Sequence, residues 1–335
     1  MRALVVGGGS IGKRHLQNLR QFGIENLAVA EVDRDRRRQL EAELGLTGFD
    51  DLKAGLSFRP DFVVIATPTH LHLKQALAVA SMGLDVFVEK PLCHDPAEMC
   101  ELANVVERKN LVSLVGCNMR FHPGPAKVKE LLSDRRVGRV LFARLHCGSY
   151  LPNWRPQTDY RSNYAAHPET GGGCIFDCIH EIDLCRWYLG EITGVFCMAG
   201  HLSSLEISTE DVAALLCRHA SGAISEIHLD YVQRTYERGC QIVGESGSIF
   251  WDFTKSELRF YDAASARWEN FFPPADWQTG EMYVAEMKHF LDCIRSRSQT
   301  TLTIPAAIDL MDVVFAAKAS VRDGNLVATR KEVLA

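Results

Sequence analysis

The sequence predicts an α/β chain in two parts: a doubly wound parallel sheet over residues 1–120, then an α+β domain over 121–335 with a largely antiparallel, open sheet. Three observations carry this. Short Val-rich apolar runs alternate with helical patterns through the first 120 residues, as parallel strands buried on both faces do. The pattern Gly7-x-Gly9-x-x-Gly12 closes the first of those runs and opens a helix. After about residue 120 the pattern changes, and from 193 to 272 strand-like segments follow one another through short turns, as hairpins do.

The strands of the first half read in order as RALVVG (2–7), LAVAEV (27–32), DFVVIA (61–66), DVFVEK (85–90) and LVSLVG (111–116). Helical stretches such as IGKRHLQNLRQFG, DRRRQLEAEL, HLKQALAVASMG and PAEMCELANVVERKN connect them. A helix at 124–134 and a strand at 139–149 open the second half. A polar, aromatic loop, LPNWRPQTDYRSNYAAHPETGGG, then delivers the chain to a helix expected over 174–189. VAALLCRH, AISEIHLDYV, CQIVGESGSIFWDF and ELRFYDA read as strands, with turns at His219–Gly222 and Glu245–Gly247. Two helices, 281–296 and 305–322, close the chain and are expected to cover one face of this sheet.

A length of 335 residues suits two hydrophobic cores. A net charge of −5 argues against nucleic acid or an anionic membrane as partner. No apolar run reaches the roughly 18 residues of a membrane span. Met1-Arg2 runs straight into a strand with no leader pattern. The 11 cysteines follow no regular spacing and read as reduced thiols, so a cytoplasmic location is expected.

The glycine pattern carries chemistry because of where it falls. Gly7 permits a tight turn, Gly9 lets a pyrophosphate approach the backbone, and Gly12 allows close packing of helix on strand. With Ser10 and Ile11 these residues offer free N–H groups at a helix N-terminus to phosphate. Asp33 stands 21 residues beyond Gly12, the distance at which a carboxylate takes the ribose hydroxyls of NAD in a Rossmann fold. The carboxylate would repel a 2′-phosphate and favours NAD. Arg34, Arg36, Arg37 and Arg38 follow at once, and an arginine that received such a phosphate would make the cofactor NADP. Arg34 is otherwise placed to stack on the adenine.

Together with this fingerprint, ATPTHLH (66–72), EKPL (89–92), MRFHP (119–123) and the glycine run with Asp177, His180 and Asp183 stand in one order. In that order the chain resembles the Gfo/Idh/MocA oxidoreductases, over essentially its whole length. The resemblance implies that Thr67, Pro68 and His70 lie along the cofactor at the carboxyl edge of the sheet, where doubly wound folds bind ligand. Glu89 and Lys90 then share that crevice. The resemblance also implies that Lys90 reaches both nicotinamide and substrate hydroxyl; a lysine beside a cationic ring gives up its proton more readily. Asp177 and His180 match the family's substrate-binding and acid–base pair, with His180 able to take a hydroxyl proton near neutral pH. Lys90 and His180 are rival or cooperating bases.

On a continuous helix, Asp177, His180 and Asp183 step by three and share a face, with Glu181 beside Asp177. Many family members space the pair as D-x-x-x-H, whereas Asp177-Cys-Ile-His180 is one residue shorter. That turns the offset by roughly 100° on an ideal helix. No metal is expected, because Cys174, Cys178, His180 and Cys185 lack zinc spacings and the cysteines suit packing. Asp183 reads as a structural hydrogen-bonding residue to helix or loop backbone. Trp154, Arg155, Tyr160, Arg161, Asn163 and Tyr164 in the loop suit a polyol, with arginines for a carboxylate or phosphate, and Arg120 is a further substrate candidate. The expected activity is an NAD(P)-dependent dehydrogenase or reductase acting on a secondary hydroxyl or ketone. Its substrate would be a sugar, a sugar derivative (including nucleotide-linked or acidic ones) or a cyclitol. The competing class is a non-catalytic nucleotide-binding sensor, and an enzyme that keeps and recycles its nicotinamide is a further variant. The open second sheet needs a cover, so a homodimer or homotetramer is expected.

Overall fold

The computed structural model describes residues 1–330. The chain forms two compact units: residues 1–118 with 280–308, and 119–279 with 309 onward. Residues 331–335 of the expected second domain lie outside the described residues.

The first unit is built on six parallel strands in the order β3-β2-β1-β4-β5-β6. They are β1 (Arg2–Val6), β2 (Asn26–Ala30), β3 (Thr47–Phe49), β4 (Phe62–Ile65), β5 (Asp85–Glu89) and β6 (Ser113–Gly116). Helices α1 (Ser10–Gln21), α2 (Arg34–Leu44), α3 (Leu52–Leu56), α4 (Thr69–Ser81) and α5 (Met99–Arg108) connect them. Every residue of β4 and β5 is buried, as continuous apolar runs in a covered sheet require. β3 and α3 escape a reading from periodicity because β3 is three residues long and only half-covered.

The sequence assigns 280–308 to the second domain, and here the structure differs: this stretch packs with the first unit. Phe290 explains it. Fully buried on the helix Glu281–Ser296, it meets Phe62 and Phe87 edge-on, each ring pair 5.7 Å apart. The segment after that helix continues the contact, since Val115 N–H donates to Leu302 O at 2.9 Å and so covers the β6 edge.

The second unit opens with α6 (Pro123–Ser133) and β7 (Val140–Gly148). After the aromatic loop come α7 (Cys174–Asp177), α8 (Ile179–Leu189), β8 (Ile192–Gly200), β9 (Val212–His219), β10 (Ile224–Asp230), β11 (Glu237–Gly244), β12 (Gly247–Asp252), β13 (Glu257–Asp262) and β14 (Arg267–Phe271). The closing elements are α9 (Glu281–Ser296), α10 (Ile304–Asp323) and β15 (Val327–Ala328). The sheet has nine strands, in the order β14-β13-β12-β11-β7-β10-β9-β8-β15. β7 and β10 run parallel; the other neighbours are antiparallel. Strands alternate cleanly: Ala213, Leu215 and Cys217 are buried while Ala214, Leu216 and Arg218 are exposed. Among the described residues no helix is long and apolar enough to cross a membrane, and no disulfide joins the cysteines, ten of which are buried.

Candidate functional site

In the first unit the glycine loop takes its shape from steric necessity. Gly7 turns at φ +94°, and a Cβ there would lie 2.6 Å from Ala66 O. A Cβ on Gly12 would lie 1.9 Å from Gly7 O, so only glycine lets α1 start this close to β1. Gly9 has open space where a side chain would stand. Among the described residues no side chain caps the N-terminus of α1, which leaves its first N–H groups for an anion. A cavity of about 150 Å³ lies against this loop, lined by Gly8, Gly9, Ser10, Lys13, Arg36 and Gln39 with Leu40 beneath. The loop, the uncapped helix and the cavity together fit a dinucleotide phosphate.

Of the acids after β2, Asp33 is exposed and caps α2, its Oδ1 accepting from the N–H groups of Asp35 and Arg36 at 3.0 Å. Those backbone bonds hold its carboxyl below the usual carboxylate range. Glu31, two residues earlier, is the buried one: Oε2 accepts from Gly8 N–H at 2.7 Å and Oε1 from Asp33 N–H at 2.8 Å. Counting residues from the fingerprint does not separate two acids so close together; burial against the glycine loop does. Arg36 leans on Glu31 at 3.4 Å, and Arg34 is exposed.

At the carboxyl edge, Thr67 Oγ1 donates to Gln75 Oε1 at 2.7 Å, Pro68 precedes the first turn of α4, and His70 is exposed. Glu89 is buried and its Oε1 lies 2.6 Å from Nε2 of His15, which is fully buried. Lys90 follows, half-buried, joined to Pro91 by a cis peptide bond. Tyr283 from α9 belongs to the same unit, with Arg14 stacked 4.4 Å from its ring centroid. Burial, then the Glu89 charge, raises its pKa. The sequence hides Tyr283, because nothing local says that α9 joins this unit.

In the second unit the helix expected over 174–189 is two helices. Cys178 stands between them at φ −88°, ψ 31°, so Asp177 does not continue the face that carries His180 and Asp183. Tertiary bonds hold Asp177 there: Tyr164 O–H donates to Oδ1 at 2.8 Å and Tyr231 O–H to Oδ2 at 3.4 Å. Burial, then the nearby Asp177 charge, pushes the Tyr231 phenol well above its ordinary pKa and keeps it a donor. Trp154 stands edge-on to Tyr231 with ring centroids 5.2 Å apart, and its buried indole N–H has no partner among the described residues. Arg155 lies 5.9 Å over the Tyr164 ring. His180 is half-buried at the start of α8. The structure thus gathers Trp154, Tyr164 and Asp177 around Tyr231, a residue in a strand-end position that no motif marks.

Other expected residues have different company. Glu181, expected beside Asp177, forks onto Arg238 at 2.7 and 3.0 Å. Asp183 is fully buried and takes two bonds from Arg120, from Nε at 2.8 Å and Nη2 at 2.6 Å, rather than bonding helix or loop backbone. Arg120, expected at the substrate, is 7% exposed and spends that fork inside the unit, under Trp187. Arg161 is exposed and clamped by Asp159 and Glu206, and the Tyr160 phenol oxygen Oη accepts from Glu206 N–H. These bonds order four short 3-10 turns in the loop. Among the described residues no group of three or more His, Cys, Asp or Glu side chains is arranged to hold a metal ion. Cys185, for instance, donates to Ser225 Oγ at 3.1 Å, inside the core.

A parallel sheet in the order 3-2-1-4-5-6 with this glycine loop defines a dinucleotide-binding oxidoreductase fold. Residues 1–117 match the oxidoreductase family with an NAD-binding Rossmann fold, and residues 126–250 match the GFO/IDH/MocA C-terminal domain. The chain belongs to the GFO/IDH/MocA oxidoreductase family, and its cofactor is NAD. It is 29% identical to scyllo-inositol 2-dehydrogenase (NAD(+)) of Bacillus subtilis, over 97% of this chain and 95% of that one. It is 30% identical to inositol 2-dehydrogenase 3 of Saccharopolyspora erythraea, over 74% of this chain and 72% of that one. In fold it is similar to a levoglucosan dehydrogenase in complex with NADH, with a TM-score of 0.90, 20% identity, and coverage of 98% of this chain and 99% of that one.

Proposed function

We propose that the chain oxidises a secondary hydroxyl of a polyhydroxylated ring, a cyclitol or a sugar, with NAD as acceptor, and catalyses the reverse reduction by the same groups. The observation that carries this reading is the cluster in the second unit. A buried carboxylate, Asp177, is held by two phenols, and Trp154 stands edge-on to one of them with an indole N–H that has no hydrogen-bond partner among the described residues. Such a surface offers aromatic walls and a few directed polar groups, the composition that binds a ring with many hydroxyls. A carboxylate offers about four acceptor sites, and Asp177 is the acceptor for a substrate hydroxyl. Relatives named inositol dehydrogenases agree with this substrate class.

Bound NAD would supply the hydride acceptor, its nicotinamide ring, for the carbon that bears the hydroxyl. Lys90 and His180 are the candidate bases for the hydroxyl proton, which leaves to solvent in oxidation and returns from it in reduction. Glu31 accepts from the adenosine ribose, with Asp33 at its side, and two carboxylates there disfavour a 2′-phosphate. The remaining cofactor contacts are Gly7, Gly9, Ser10, Ile11 and Gly12 at the pyrophosphate, Arg34 at the adenine, and Thr67, Pro68, His70 and Glu89 on the nicotinamide side. Arg161 is neutralised by two carboxylates, which favours an uncharged ring over a phosphorylated one. Tyr160 and Arg155 complete the loop contacts, and Arg120 is left out of the set.

The test is a panel of cyclitols and neutral and acidic sugars with NAD, followed by absorbance at 340 nm, for the wild type and Lys90→Met. The wild type should turn over at least one neutral ring, and Lys90→Met should lose turnover while binding NAD by calorimetry nearly as tightly. Normal turnover by the variant would overturn the mechanism. A wild type that binds NAD and reduces none of it on any polyol would overturn the substrate class.

We also assign the outer face of the nine-stranded sheet to contact between copies of the chain, as a homodimer or homotetramer. The strand register lines up Arg218, Ile224, Phe142 and Val243 in one row and Phe196, Leu216, Glu226 and Arg144 in the next. Ile224 is 57% and Leu216 50% exposed, more apolar surface than a solvated sheet face needs. The thiols and the absence of disulfides among the described residues fit the reducing cytoplasm.

A further inference from the structure

We propose that His72 is a positioning residue for the reaction, setting the Lys90 turn and the Thr67 turn against each other through the backbone alone. The proposal rests on the role given to Lys90 above. His72 lies in the first turns of α4 and is 1% exposed. Its ring sits between two main-chain carbonyls, with Nδ1 2.8 Å from Pro91 O and Nε2 2.7 Å from Thr67 O.

The position of those carbonyls gives the contact its meaning. β4 and β5 are neighbours, and their pairing ends at Ile65 and Val88. Beyond that point the two chains continue into the turns that carry Thr67 and Lys90 without a shared ladder. Pro91 has no N–H with which to extend one. The imidazole takes over where the ladder stops: it is rigid, it has a nitrogen on each side, and it bridges the two turns at their main chain. On the other side of Lys90, His15 holds the Glu89 side chain at 2.6 Å. Lys90 therefore stands between two residues each fixed by a buried histidine, and neither ring needs to touch substrate.

Both partners of His72 are carbonyls and can only accept. A neutral ring donates to one of them, and the second bond requires a second proton. Burial lowers the pKa of His72, while the two carbonyls and the Glu89 charge oppose that. Nδ1 faces Pro91 and Nε2 faces Thr67, and the two contacts are separable by substitution. Asparagine places an amide nitrogen near Nδ1, and glutamine near Nε2.

The experiment compares His72→Asn and His72→Gln in the full chain, reading kcat with saturating polyol and the Kd of NAD by calorimetry. His72→Asn keeps the Pro91 bond, so kcat should stay near wild type while NAD binds more weakly. His72→Gln keeps the Thr67 bond, so NAD binding should hold while kcat falls about tenfold to a hundredfold, the usual cost of misplacing a reacting group. Wild-type values for both variants would overturn the proposal. Equal losses of kcat and affinity in both would overturn it too, as a merely structural histidine predicts no split. Lys90→Met run in parallel separates the two ideas. Turnover by that variant sinks the role of Lys90 itself, whereas an inactive Lys90→Met beside an unsplit His72 pair sinks only the positioning role.

Discussion

Asp183 and Arg120 show how company decides a residue's task. From their residue types, one reads as a backbone-bonding acid and the other as a substrate contact, yet they form a buried fork. Burying two charges is costly, and geometry this good repays most of it; removing one partner does not. Asp183→Asn should therefore cost about 3–5 kcal/mol in urea unfolding, because the Arg120 charge stays buried without its counter-ion. The double variant Asp183→Leu with Arg120→Met should recover most of that loss. If the single and double variants unfold at the same urea concentration, the pair is not a closed unit. Lys90 is visible in the sequence because its motif is local. The roles of Glu31 and His72 are not, because one partner of each lies 23 and 19 residues away.

At the scale of elements, α6 carries a cap that titrates. His122 Nδ1 accepts from Gly124 N–H at 2.9 Å, which requires that nitrogen to be unprotonated. Trp251, Phe253 and Trp277 surround the ring. Burial, then the Arg238 charge, pushes its pKa from 6.5 down to about 4. Above the ordinary value the ring is neutral in both folded and unfolded chains and costs nothing. As pH falls through the window between the two values, the unfolded chain takes up a proton that the folded chain refuses, so stability drops. Going from about pH 7.5 to about pH 5, this one group should cost about 2 kcal/mol. His122→Asn keeps an acceptor at the cap and removes the titration. Urea unfolding at both pH values should show a smaller acid loss in the variant, and an equal loss would refute the account. The α7–α8 break belongs to this scale as well. Periodicity predicts one helix there, and the phenols that hold Asp177 come from a loop and a strand end that periodicity does not connect.

For the whole molecule, the outer sheet face makes a prediction about mass. Each chain weighs 37.4 kDa. Light scattering on the wild type should give a multiple of that mass, and Leu216→Glu with Ile224→Lys should give the single chain. Both positions are already exposed, so the substitutions leave the core untouched. A wild type that elutes as one chain at micromolar concentration would end the assignment. The same scale contains the clearest departure from a linear reading. α9 follows the second sheet in sequence and packs with the first, because Phe290 finds Phe62 and Phe87. A helix's apolar stripe says that it must be buried, not against which sheet.

The doubly wound unit, its glycine loop, the antiparallel character of the second sheet and the family itself are all legible from residues 1–335 read in order. They depend on short-range facts: a side-chain period, a turn that only glycine makes, a motif a few residues long. Tertiary structure alone decided which of two neighbouring acids faces the loop, where the helix after the glycines breaks, which unit receives α9, and that Arg120 serves Asp183. Each of these is a competition between partners far apart in the chain, settled by burial and by the cost of leaving a polar group unsatisfied.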